Sequence, residues 1–179
     1  MIVCEEKKSS TEVYSGKIIK VFKDEVSIGN EKSALREVVR HKGACAVLAV
    51  DENNYAYFVE QFRYPVGMTL FEVPAGKIDP NEKPLECAKR ELLEECGIRA
   101  EKWTELGPML TSPGFCDEAI YLFIAQELSE FSPNPDEDEF LDIKKLPLKA
   151  VLDEIREGKI PDAKTQTLVL RGCDILNIK

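Results

Sequence analysis

The sequence predicts an α+β protein in which strands and helices are interspersed, preceded by a small N-terminal antiparallel β unit. Three observations lead there. Ala44 to Val50, ACAVLAV, is an unbroken apolar run of strand length and reads as a strand buried on both faces. Residues 84–96, PLECAKRELLEEC, switch to a helical period, with Leu85, Ala88, Leu92 and Cys96 on one stripe. Residues 11–28, TEVYSGKIIKVFKDEVSI, are rich in β-branched residues and lead to the turn signal Gly29-Asn30, after which Leu35 to Arg40 resumes a strand-like pattern.

The remaining elements follow in order. Residues 11–40 form the small antiparallel unit. After the buried strand, Asp51-Glu52-Asn53-Asn54 turns the chain and Tyr55 to Arg63, YAYFVEQFR, returns. Leu70 to Val73 is a short strand closed by Pro74-Ala75-Gly76. Pro84 suits the first helical position and Gly97 the left-handed cap, whereas Lys83 is a poor N-cap. Strands are predicted near 103–110 and 119–126, then an acidic, proline-punctuated loop over 132–139. Two amphipathic helices close the chain at about 147–157 and 162–173, the second with Asp162 as N-cap.

A length of 179 residues suits one domain with a small appendage. The division is placed at 1–42 for the N-terminal β arm and 43–179 for the main domain. A net charge of −9 argues against nonspecific binding to nucleic acid or to an anionic membrane face. A small anionic ligand stays open, because a bound cation reverses local charge. No apolar run approaches the roughly 20 residues that span a bilayer, and MIVCEEKKSS lacks a signal-peptide pattern. The six cysteines, scattered and without a CxxC pair, read as reduced thiols in a cytoplasmic protein. With one histidine, His41, the chemistry expected is that of carboxylates, which favour hard cations such as Mg²⁺ or Mn²⁺.

The stretch RELLEECGI, residues 90–98, crowds Glu91, Glu94 and Glu95 into one helical turn. On a wheel of about 100° per residue, Glu91 and Glu95 fall beside the apolar stripe and Glu94 further round. Carboxylates beside a buried face repel unless protons or cations intervene. From Gly76 the chain runs GKIDPNEKPLECAKRELLEECGI, with Glu82 after five residues, Arg90-Glu91 after seven more, then Leu92, Glu94-Glu95, Gly97 and Ile98. This resembles the Nudix box, Gx5Ex7REUxEExGU with U aliphatic, at all nine specified positions.

The resemblance implies a Nudix-type α/β/α sandwich with a mixed sheet that hydrolyses nucleoside diphosphates linked to another group. It implies Glu91 and Glu95 as main metal ligands, Glu94 as a further ligand or alternative base, and the Ala75 carbonyl as an extra ligand. Arg90 and Glu82 are implied as an ion pair orienting the helix. Hard oxygen ligands suit Mg²⁺, which polarises a diphosphate and can activate water.

Three further segments, QFRYP at 61–65, FEVPAG at 71–76 and TSPGFCDE at 111–118, resemble the ADP-ribose pyrophosphatase branch, with Phe62 where tyrosine is common. Pro113 stands sixteen residues after Gly97, the branch's usual marker position. Arg63 and Glu72 are candidate substrate ligands: a planar fork for diphosphate or ribose oxygens, and an acceptor for ribose hydroxyls or an adenine amine. Pro113 and Gly114 complete the substrate set, Gly114 by allowing close backbone approach. The branch implies a general base on a loop between the last strands, here Glu139, then Glu137. Expected products of ADP-ribose are AMP and ribose 5-phosphate, and related members dimerise through N-terminal strands, so a homodimer is expected. Two alternatives stand beside this: hydrolysis of a GDP-sugar or UDP-sugar, and a sensor that binds ADP-ribose without cutting it.

Overall fold

The computed structural model describes residues 4–29, 32–134 and 140–179. The chain divides into two compact units, one of residues 1–43 and 110–119, the other of 44–109 and 120–179. The loop glutamates Glu137 and Glu139 lie outside the described residues.

The first unit is a three-stranded antiparallel sheet in the order β1 (Glu5–Ser15), β2 (Ile19–Ile28), β3 (Lys32–His41). The antiparallel unit is present, but β1 starts at Glu5, ahead of residue 11. The segment before Thr11, EEKKSS, is polar and carries no hydrophobic alternation, so only its pairing with β2 reveals it as strand. β1 is an edge strand, exposed along its whole length. The turn after Thr111 is fastened to β3: Val39 N–H donates to the Phe115 carbonyl at 2.7 Å and Asp117 N–H to the Val39 carbonyl at 3.1 Å.

The second unit holds a seven-stranded mixed sheet. Its elements are β4 (Ala44–Val50), β5 (Tyr55–Arg63), β6 (Met68–Glu72), β7 (Ala75–Lys77), β8 (Ile98–Leu110), β9 (Ala119–Glu130) and β10 (Asp142–Pro147). The order is β10-β5-β4-β9-β8, with β6 on β5 and β7 on β4. The β4–β9 pair is parallel; β4 pairs antiparallel with β5 and β7. Three helices complete the unit: α1 (Pro84–Cys96), α2 (Leu148–Arg156) and α3 (Ala163–Ile175).

β4 explains the layering. All seven of its residues are buried, as its apolar run predicts. Side chains alternate across a strand, so Ala44, Ala46, Leu48 and Val50 join one apolar cluster with Leu148, Val151 and Leu152 of α2 and Leu168 and Val169 of α3. Cys45, Val47 and Ala49 join the other, with Cys87, Ala88, Leu92 and Cys96 of α1. The sheet is therefore covered on both faces, an α/β/α sandwich. No helix among the described residues is long and apolar enough to cross a membrane.

Four elements of this unit differ from expectation. Ala75 and Gly76 do not close a turn; they open β7, because β4 offers an antiparallel partner there. β8 and β9 run longer than 103–110 and 119–126. β10 was not expected at all: DIKKLP is lysine-rich and becomes strand by antiparallel pairing with Tyr55–Glu60 of β5.

Candidate active site

Helix α1 starts and stops where its sequence predicts. Pro84 follows an extended Lys83 that makes no side-chain cap, and Gly97 (φ +65°) caps the C-terminus with its N–H on the Leu93 carbonyl at 2.9 Å. Of its glutamates, Glu91 is 7% and Glu95 3% exposed, while the Glu94 side chain is 38% exposed. The wheel places the first two beside the buried face; the structure buries them outright.

The close approach of β7 to α1 explains both the glycine and the burial. A Cβ on Gly76 would coincide with the Glu91 carboxylate. Glu95 Oε2 accepts the Ala75 N–H at 3.0 Å. Thus a short strand and one helical turn press two carboxylates against backbone, with Gly76 as the only residue type that leaves the room.

Arg90 is more than the partner of Glu82. The pair is present as a fork, Nε to Glu82 Oε1 at 2.9 Å and Nη2 to Oε2 at 3.0 Å, and Glu82 also accepts the Asp79 N–H at 3.0 Å. In addition Nη1 reaches Glu91 Oε1 at 2.8 Å and Glu94 Oε2 at 3.0 Å. A cation does intervene in the glutamate turn, and it is the motif's own: the Arg90 guanidinium relieves Glu91 and Glu94. The Glu94 contact is an i,i+4 pair and was visible in the spacing. The Arg90 fork holds the Glu82 carboxyl below the ordinary carboxylate range, and Glu82 in turn raises the guanidinium.

The Arg90 guanidinium serves three carboxylates, Glu82, Glu91 and Glu94, and Glu95, on the Ala75 N–H, lies within the field of Arg63. Hard oxygen donors in a formally anionic recess suit a divalent cation such as Mg²⁺. Among the described residues, no three His, Cys, Asp or Glu side chains converge so as to hold a metal ion by themselves.

Arg63 and Glu72 lie together on the β5–β6 hairpin. Arg63 donates Nε to Glu72 Oε1 and Nη2 to Oε2, both at 2.7 Å. Glu72 is 1% exposed and also takes an ion pair from Lys164 Nζ, itself 8% exposed. Both carboxylate oxygens are thus engaged with side-chain cations. Burial pushes the Glu72 carboxyl up, but the Arg63 fork and Lys164 outweigh it and hold it below the usual range. Lys164 further pairs with Asp162 Oδ1 at 3.1 Å. Asp162 caps α3 as predicted, accepting the Thr165 N–H at 2.9 Å. Sequence reasoning missed Lys164 and Thr165. A lysine in the first turn of a helix opposes the helix dipole and was the available signal that an anion compensates it.

Pro113 and Gly114 sit in the first unit, in a turn where Phe115 and Cys116 N–H both bond the Ser112 carbonyl, at 3.1 and 2.9 Å. Among the described residues, none beyond its chain neighbours comes within 4 Å of where a Gly114 Cβ would be. His41 accepts the Gly43 N–H on Nδ1 at 3.1 Å. The chain enters the 135–139 segment from Asn134, whose N–H bonds the Glu94 carbonyl at 2.9 Å. The six cysteines are free thiols.

Residues 39–165 match the NUDIX domain family, which spans the whole glutamate turn and both flanking β segments. This chain belongs to that family. It is 42% identical over 164 residues, 90% of its length and 89% of the relative's, to the ADP-ribose pyrophosphatase of Bacillus subtilis (strain 168). It is 43% identical, with the same coverage of both chains, to the methanol dehydrogenase activator of Bacillus methanolicus. Among solved structures, an ADP compounds hydrolase superposes with a TM-score of 0.83, covering 97% of this chain and 94% of that one, at 22% identity, a likeness of fold.

Proposed function

We propose that this chain hydrolyses the diphosphate bond of ADP-ribose to AMP and ribose 5-phosphate, with Mg²⁺, replaceable by Mn²⁺, as cofactor. The observation that carries the reading is the buried Glu91–Glu95 pair against Ala75 and Gly76, in a chain 42% identical to an ADP-ribose pyrophosphatase. In this reading Glu91, Glu95 and the Ala75 carbonyl hold the cation and Glu94 serves as auxiliary ligand. The cation supplies Lewis-acid polarisation of the diphosphate. Arg90 and Glu82 lock the helix turn. Glu139, or Glu137, takes the proton of the attacking water; the tether of Asn134 to Glu94 supports a base on that loop, since it starts the loop on the box helix. Arg63 orients the diphosphate, with Glu72 as its buried counter-ion in place of a direct ligand for ribose or adenine. Gly114 leaves its backbone open to close approach by a ligand, and Pro113 shapes the turn that presents it.

Two chains form a homodimer through the N-terminal β arm of residues 1–42. Support comes from the unpaired, fully exposed outer edge of β1 and from Val13 and Tyr14, 59% and 56% exposed. The free cysteines support a cytoplasmic protein.

The test is a panel of ADP-ribose, GDP-mannose and UDP-glucose with Mg²⁺, following phosphate released after phosphatase coupling. It is run on the purified chain alone, so that turnover cannot reflect action on a partner. Preference for ADP-ribose is expected; preference for a GDP-sugar overturns the specificity, and no turnover of any overturns the hydrolase reading in favour of a binding protein.

A further inference from the structure

The link between β6 and β7, Val73-Pro74, brings the backbone at Ala75 to the glutamate turn. Its polar groups must find partners, because Val73 is fully buried. Pro74 has no N–H and fixes its own φ. Its carbonyl accepts the Val47 N–H at 2.9 Å. The Ala75 N–H goes to Glu95 Oε2 at 3.0 Å. The Val73 N–H has left the β6 ladder, whose last pair is Val59–Glu72, and donates instead to Thr165 Oγ1 at 2.8 Å. Thr165 is itself fully buried.

A hydroxyl carries one proton and two lone pairs. The Thr165 proton goes to Asp162 Oδ2 at 2.6 Å, which turns a lone pair toward Val73. Asp162 is in turn fixed by the Thr165 N–H at 2.9 Å and by Lys164 Nζ at 3.1 Å. A continuous chain of hydrogen bonds and one rigid dipeptide therefore runs from the start of α3 to the carboxylate of Glu95.

We infer that Thr165 is a positioning residue: its hydroxyl sets the Val73–Ala75 backbone, and through the Ala75 amide it orients Glu95 for a divalent cation. This rests on the reading of Glu95 as a metal ligand. It assigns the last helix of the fold a part in the cation site, although α3 contributes no acidic group to the glutamate turn.

The experiment compares Thr165→Val, which keeps the shape and loses the hydroxyl, with Thr165→Ser, which keeps the hydroxyl. Two readouts are used. Amide hydrogen exchange at Ala75, by NMR on the metal-free protein, is expected to quicken about tenfold in Thr165→Val relative to the Val47 amide, and to stay at the wild-type rate in Thr165→Ser. Mn²⁺ affinity, from the free-ion electron paramagnetic resonance signal, is expected to weaken about tenfold in Thr165→Val only, the scale typical for loss of an outer-shell partner. If Thr165→Val does not fold, Thr165→Ala against Thr165→Ser carries the same comparison. Unchanged exchange and affinity in the hydroxyl-free variant overturn the inference. So does an equal loss in Thr165→Ser, which would mark packing as the cause, or a wild-type protein that leaves all Mn²⁺ free. Turnover of ADP-ribose is measured separately: a wild type that binds Mn²⁺ and cuts nothing fails the proposed function while the positioning result stands.

Discussion

The Cα of Gly76 faces the Glu91 carboxylate so closely that a Cβ would occupy the carboxylate's own position. Gly76 and Glu91 are fifteen positions apart in the chain and belong to different elements, β7 and α1. Their contact is the tightest constraint on the glutamate turn, and it makes the first prediction. Gly76→Ala should fold, since β7 is short and, among the described strands, pairs with β4 alone, but Glu91 must swing out. A displacement of that size costs about 100-fold in kcat. Circular dichroism should remain native-like; wild-type turnover would show that Glu91 has freedom to move.

Glu95→Gln keeps size and hydrogen bonding but removes a formal charge from the buried pair. We expect kcat to fall by about 100-fold or more, with KM changed far less, the pattern of a group that acts on the transition state. Steady-state kinetics with saturating Mg²⁺ check this. An unchanged kcat would remove Glu95 from the cation-holding set.

Glu139→Gln should lose most of the contribution of a general base, roughly 100-fold to 10,000-fold in kcat. Glu137→Gln should be mild. Kinetics of the two single variants decide the register: if the Glu137 variant is the damaged one, the base is Glu137.

The ion group of Arg63 and Lys164 around the buried Glu72 predicts a pH dependence. Burial alone would raise the Glu72 carboxyl, but Arg63 and Lys164 hold it below the ordinary range. Its folded pKa therefore lies under its unfolded one. The stabilisation is complete above the ordinary carboxylate range and is lost as pH falls through the folded value. Glu72→Gln leaves Arg63 without its buried counter-ion and Lys164 with Asp162 alone, and should destabilise the fold at neutral pH by about 3 kcal/mol. Urea denaturation from pH 7 down to pH 3 should show a flatter acid limb in the variant than in the wild type. Parallel curves would assign the acid sensitivity to other carboxylates, Glu82 first, which Arg90 likewise depresses.

Removing residues 1–15 deletes β1 and its exposed outer edge. If that strand makes the dimer, size-exclusion chromatography with light scattering should give a dimer for the whole chain and a monomer for the truncated one. A monomeric full-length chain would dismiss the arm as an interface.

By itself the sequence determined the parts of this protein whose causes are local. The helix from Pro84 to Cys96, its glycine stop and its weak start follow from propensity, capping and a 3.6-residue period. The burial of β4 follows from its unbroken apolar run, while the pairing of Glu82 with Arg90 is what the resemblance to the Nudix box implies. What the tertiary structure decided are the partners that come from far along the chain. β10 and the first residues of β1 are strands because neighbours offer a ladder to polar segments. Ala75 and Gly76 are strand because β4 lies beside them. Glu72 meets Lys164 across 92 positions, and Thr165 meets Val73 across the same span. No periodicity encodes such contacts. A buried carboxylate or amide needs a partner for its charge or hydrogen bond, but which distant residue supplies it is settled only when the layers of the sandwich close.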